Sequence, residues 1–171
     1  MHTSIVLTVM ADDRPGTIKT VSAVLTGHGG NWTQSSMSSL AGQFAGILLV
    51  SMPSENTEAC IADLHGLESK GLRIIAHVCS GPVEEEKSKP YILNLVGNDR
   101  PGIVHEITTL LAKHKVSVHQ FETAVESAAM GGADLFKATA QLLIPDSADI
   151  GQIENELEDL ANDLMVDIRF T

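Results

Sequence analysis

The tetrapeptide Asp13-Arg14-Pro15-Gly16 returns 86 residues later as Asp99-Arg100-Pro101-Gly102. Each copy follows an apolar run and precedes an amphipathic one, which makes it a strand-to-helix turn. Its residue types fit two jobs. As architecture, Pro opens a helix where its missing N–H is not needed. The Asp before it caps the helix, and the Gly lets backbone approach closely. As chemistry, a helix N-terminus presents free N–H groups and a partial positive charge, which suit a carboxylate. A nearby Asp takes an ammonium. Together these groups hold both ends of a free amino acid. The spacing leaves both readings open.

The other chemistry-bearing residues form no catalytic set. Asp12-Asp13 and Asn98-Asp99 are adjacent pairs, and adjacent side chains in a turn rarely converge for acid–base work. Ser35-Ser36, Ser38 and Ser39 lack a GxSxG elbow and read as a solvated face or an interface. His28 and His114, also 86 apart, end corresponding helices, where a protonated ring suits the helix dipole or a ligand contact. The histidines and the two cysteines, Cys60 and Cys79, show no HExxH or CxxC spacing. No metal and no cofactor is expected. Both cysteines are expected as buried free thiols in a reducing compartment, the cytoplasm.

Two copies of one architecture must position these turns. Sliding the chain by 86 places Ile5, Leu7 and Val9 on Tyr91, Leu93 and Leu95, a strand with one buried face. It places Ile18, Val21 and Leu25 on Val104, Ile107 and Leu111, a helix with one buried stripe. Gly27-His28-Gly29-Gly30 stops the first helix. Trp32 to Leu40 and Phe44 to Met52 form a hairpin about Ala41-Gly42. A helix then follows Pro53, capped by Ser54 or Asn56 and burying Cys60, Leu64 and Leu67. Gly71 closes it and Leu72 to Cys79 is a strand. In the second copy the hairpin strands are Val116 to Val125 and Leu135 to Ile144. The loop between them holds Gly131-Gly132 and reads as mobile. Ile150, Ile153, Leu157, Leu160 and Leu164 make the cleanest helix, and Val166 to Phe170 is the last strand.

Each half thus reads β-α-β-β-α-β, the ferredoxin-like order. The expected fold is α+β: two four-stranded antiparallel sheets, each with two helices on one face. The domains are 1–80 and 91–171. The polar segment 81–90, with prolines near both ends, is the linker.

Composition narrows the function. The 171-residue chain is 43% hydrophobic, enough for packed cores, and carries a net charge of −11. Residues 1–80 hold 4 basic and 6 acidic side chains; residues 89–171 hold 6 and 13. No basic cluster is present to displace counterions from nucleic acid or to meet an anionic membrane. No apolar run approaches the ~20 residues of a membrane span, and the first residues lack a signal-peptide pattern.

Two βαββαβ halves, each with DRPG at the first strand–helix turn, resemble tandem ACT domains. A two-ACT chain without a catalytic domain resembles the glycine cleavage system transcriptional repressor family. The resemblance implies a non-enzymatic regulatory protein that binds an amino acid, glycine or serine among the options, at ACT domain interfaces. It implies a protein partner such as a transcriptional regulator, no direct nucleic-acid contact, and a homodimer. The implied ligand-binding residues are Asp13, Arg14 and Gly16 with Asn31 in the first half, and Asp99, Arg100 and Gly102 with Ser117 in the second. Ser117 stands where the family carries Asn, so the second site departs from the pattern. A ligand-free assembly module is the alternative, and a small enzyme on a ferredoxin-like fold is a third reading.

Overall fold

The computed structural model describes residues 1–79, 87–127, 134–164 and 166–171. The Gly131-Gly132 loop and linker residues 81–86 lie outside the described residues. The chain divides into two compact units, Met1–Val83 and Glu84–Thr171.

The first unit runs β1 (His2–Asp12), α1 (Thr17–Gly27), β2 (Asn31–Leu40), β3 (Gln43–Pro53), α2 (Thr57–Gly66) and β4 (Leu72–Val78). Short 3-10 turns, Ser54–Asn56 and Leu67–Lys70, flank α2. The sheet order is β2-β3-β1-β4, with every neighbour antiparallel. Alternation along β1 sends Ile5, Leu7, Val9 and Ala11 to one face. Leu48, Val50 and Met52 of β3 and Leu72 and Ile74 of β4 join them there. Val21 and Leu25 of α1 and Cys60 and Leu64 of α2 pack into the same core, so both helices cover one face of the sheet.

The second unit repeats the plan with β5 (Ser88–Asn98), α3 (Ile103–Lys113), β6 (Ser117–Glu126), β7 (Leu135–Pro145), α4 (Ile150–Leu164) and β8 (Val166–Phe170), in the order β6-β7-β5-β8. Its core joins Leu93, Leu95, Ile107, Leu111, Leu142 and Leu157 among others. Tyr91 stacks on Phe170 at 4.9 Å between ring centroids.

Several local expectations give way. β5 begins at Ser88, inside the stretch read as a linker. Pro90 is tolerated because β8 pairs only with Leu93 to Gly97, so at Pro90 the strand has one neighbour, β7. Ile18 and Val104 are exposed by 48% and 38% rather than buried; the stripe of α3 starts at Ile103 instead. Asn56 stands at the N-cap position of α2 but makes no capping bond: its Nδ2 donates to the His28 carbonyl at 2.9 Å, tying α2 to the end of α1. Leu67 is buried as expected, but from the 3-10 turn after α2. Cys60 is buried, whereas Cys79 is half-buried.

Candidate functional site

The first DRPG turn is built from backbone before side chains. Asp13 N–H donates to the Gly42 carbonyl at 2.9 Å, anchoring the end of β1 to the hairpin. Gly16 is the N-cap of α1 at φ +94°, a left-handed conformation that strains any residue with a Cβ. Pro15 therefore lies outside the helix rather than at its first position. The expected Asp cap is absent too. Ser39 Oγ donates to Asp13 Oδ2 at 2.6 Å, so this carboxylate ties the turn to the β2–β3 hairpin. Arg14 Nη2 donates to Asp12 Oδ2 at 2.9 Å, and Gln43 Nε2 to Asp12 Oδ1 at 3.0 Å. Thr17 and Thr20 hydroxyls donate to the carbonyls of Arg14 and Gly16.

The second turn keeps the backbone and changes the charges. Gly102 caps α3 at φ +98°, and Asp99 N–H donates to the Asp134 carbonyl at 2.7 Å. Arg100 reaches forward to Glu106, with Nη2 3.1 and 3.2 Å from its two oxygens. The first repeat has Thr20 at that place, so its Arg14 has no such acid ahead of it.

Asn31 and Ser117 begin β2 and β6, and both are exposed. Register places them far from their own turns. Asn31 pairs with Ser51 and Ser51 with Ser4, whereas Asp12 pairs with Gln43. Eight strand residues at ~3.3 Å each separate these rows by ~26 Å. Ser117 pairs with Leu143 and Leu143 with Pro90, again eight residues from Asn98. A single unit thus brings Asp13, Arg14 and Gly16 together and holds Asn31 at the other end of the sheet. Asp99, Arg100 and Gly102 stand in the same relation to Ser117. Trp32, beside Asn31, packs against the core.

The two matched histidines do not join these residues. His28 Nε2 lies 2.8 Å from Asp63 on α2, and His114 Nε2 lies 3.1 Å from Glu156 on α4. Each closes the C-terminus of one helix against the other helix of its unit. Sequence reasoning missed both carboxylates, since separations of 35 and 42 residues leave no periodic signal. Burial first, and the Asp63 carboxylate second, push the Cys60 thiol up from its ordinary value, which keeps it protonated and inert. Among the described residues no three His, Cys, Asp or Glu side chains are placed to hold a metal. No helix there is long and apolar enough to cross a membrane.

Two matches to the ACT domain model, at residues 3–77 and 89–171, take in both turns, both helix pairs and all but the end residues of the sheets. The chain belongs to the ACT domain family. It is a tandem ACT protein, one domain in each unit. A crystal structure of an unknown protein from Galdieria sulphuraria superposes with a TM-score of 0.88 at 26% identity, covering 99% of this chain and 98% of that one. A candidate glycine cleavage system transcriptional repressor superposes with a TM-score of 0.71 at 17% identity, covering 100% and 97%, a likeness of fold. Among curated proteins, the bifunctional uridylyltransferase/uridylyl-removing enzyme of Cupriavidus pinatubonensis is 51% identical over 35 residues. That stretch is 20% of this chain and 4% of the enzyme.

Proposed function

We propose that this tandem ACT protein is a non-enzymatic regulator that binds an amino acid and thereby changes its association with a protein partner. The observation that carries the reading is the ACT match over both units, with an intact DRPG turn in each. Asp13, Arg14 and Gly16 supply one part of the ligand contact and Asn31 the other. Because one sheet holds these ~26 Å apart, a ligand touching both sets bridges two ACT domains. A bridging ligand favours the associated state over the separated one, which is the condition for regulation. Asp99, Arg100 and Gly102 with Ser117 form the corresponding second set, with Ser117 in place of Asn. The family resemblance and the fold likeness support transcriptional regulation of glycine cleavage, through a cytoplasmic regulator protein, as the pathway. A homodimer is part of the proposal, supported by Met10, Ile47 and Ile75, exposed on the open face of the first sheet.

The test is a thermal-shift screen of the full chain against the twenty amino acids, with Trp32 fluorescence as a second readout. A ligand at one hundred times its Kd stabilises by about 2.7 kcal/mol. The shift disappears in Asp13→Ala and in Asn31→Ala. An absence of any shift at millimolar amino acid overturns the sensor. A ligand-free assembly module then takes its place. That second reading is favoured by one observation: the Asp13 and Arg14 side chains are already satisfied by Ser39 and Asp12.

A further inference from the structure

An open groove of about 900 Å3 lies beside the first DRPG turn, between α1 and the Leu67–Lys70 turn that leads into β4. Asp13 and Asn31 do not line it. Three cations do: Arg14, Lys19 and Lys70. Residues 1–80 contain one further Lys or Arg, Arg73, and it lines an adjoining groove that shares Ala11, Asp12 and Gly71 with the first. Every Lys and Arg of residues 1–80 is thus gathered at one end of one sheet, in a chain of net charge −11.

The local balance stays positive. Asp12 is the one carboxylate lining the groove, and it is engaged by Arg14 and Gln43. Glu68 lines the adjoining groove. Among the described residues, Lys19 and Lys70 sit in no ion pair. The hydroxyls of Thr17, Thr20 and Ser69 already donate to backbone carbonyls and Arg14 to Asp12, which leaves Lys19 and Lys70 as the uncommitted side-chain donors for a ligand. The floor is apolar, with Ala11, Val24, Leu67 and Leu72.

The second repeat is a control supplied by the molecule itself. At the position of Lys19 it has His105, and at that of Thr20 it has Glu106, which neutralises Arg100. Arg73 pairs with Met10; at the matching place Asp167 pairs with Val96. One backbone plan therefore carries opposite charge at the same end of its two sheets. A turn that needed these cations only for folding would keep them in both copies.

We propose that this groove binds a small organic polyanion, with two or more phosphate or carboxylate charges held by Lys19 and Lys70 beside the Asp12-paired Arg14, and an apolar body over the Leu67 and Leu72 floor. Arg and Lys suit this ligand because Arg presents a planar fork of donors and Lys a mobile point charge. The volume falls in the range of small-molecule pockets. The site goes beyond the amino-acid reading: its lining shares Arg14 and Gly16 with that reading, but it excludes Asp13 and Asn31, and Lys19 and Lys70 belong to the groove alone.

The experiment is calorimetric titration of the full chain at constant ionic strength with pyrophosphate, with citrate and with glycine. Saturable binding of pyrophosphate or citrate is expected; which of the two binds identifies phosphate or carboxylate as the source of charge. In the Lys19→Glu, Lys70→Glu double variant, whose folding is checked by circular dichroism, affinity falls at least about tenfold, since each reversal replaces an attraction by a repulsion. Lys89→Glu in the second repeat leaves it unchanged. No saturable heat from either polyanion overturns the proposal. So does an equal loss in Lys89→Glu, which means diffuse attraction, or displacement of the bound polyanion by glycine, which merges the groove with the amino-acid site.

Discussion

Lys115 adopts φ +56°, a left-handed conformation that costs a side-chain-bearing residue about 1–2 kcal/mol. The first repeat puts Gly29 at the same place, at φ +74°. Both end their helix with the same pair of bonds. Gly29 and Gly30 donate to the carbonyls of Thr26 and Leu25; Lys115 and Val116 donate to those of Ala112 and Leu111. This is a closure in which glycine is the unstrained residue. Lys115→Gly is therefore expected to stabilise the protein by about 0.5–1 kcal/mol, part of the relieved strain being offset by glycine's greater freedom in the unfolded chain. A urea melt checks this: the midpoint rises while the slope stays constant. Gly16→Ala and Gly102→Ala are expected to move the midpoint the other way by about 1 kcal/mol, since φ near +95° is closed to alanine.

Helix pairs are clasped differently in the two units. In the first, the His28 ring meets the Asp63 carboxylate. In the second, Glu156 accepts from Lys113 Nζ at 2.8 and 3.0 Å, from His114 Nε2 at 3.1 Å and from Gln152 Nε2 at 3.0 Å. The Lys113 bond foremost, then those of His114 and Gln152, lower the Glu156 carboxyl from 4.5 to about 2. A carboxyl lowered in the folded state favours folding above its unfolded value, and that contribution fades as pH falls toward about 2. Stability is therefore expected to drop between about pH 4.5 and pH 2, and Glu156→Gln is expected to flatten that part of the curve. Added salt shrinks the difference, because Lys113 is exposed and Glu156 partly so. Chemical denaturation across that pH range checks the sign, with Asp63→Asn as the matching variant in the first unit.

At the scale of the molecule, one pattern has produced two units with separate cores and different surfaces. A row across the open face of the first sheet reads Ser36, Ile47, Thr8, Ile75; the matching row of the second reads Glu122, Thr139, Asn94, Arg169. The buried faces kept their apolar alternation while the open faces diverged, as do the cations at the first groove. Each unit closes its own hydrophobic core, so residues 1–83 and 84–171 produced separately are each expected to unfold cooperatively. A chain of about 80 residues has a small core, and Leu7→Ala or Leu95→Ala is expected to cost 2–5 kcal/mol in its own unit, as a buried cavity does. Circular dichroism melts of the two pieces and of these variants check both points.

The order of elements, the two-unit plan and the DRPG turns were readable from the chain because strand and helix periods and turn residues are local properties. Ile5, Leu7, Val9, Ile107 and Leu157 carry their burial in their spacing alone. Where local rules failed, a neighbour distant in sequence decided. Asn56 gave its side chain to the His28 carbonyl, and Asp13 turned to Ser39 rather than to its helix. The candidate site divides the same way. Sequence alone proposed its residues and showed that the DRPG turn is duplicated. Only the tertiary structure decided that Asn31 stands at the far end of the sheet from Asp13, and that Arg14, Lys19 and Lys70 share a groove. Strand register and helix packing set those distances, and both depend on partners tens of residues away.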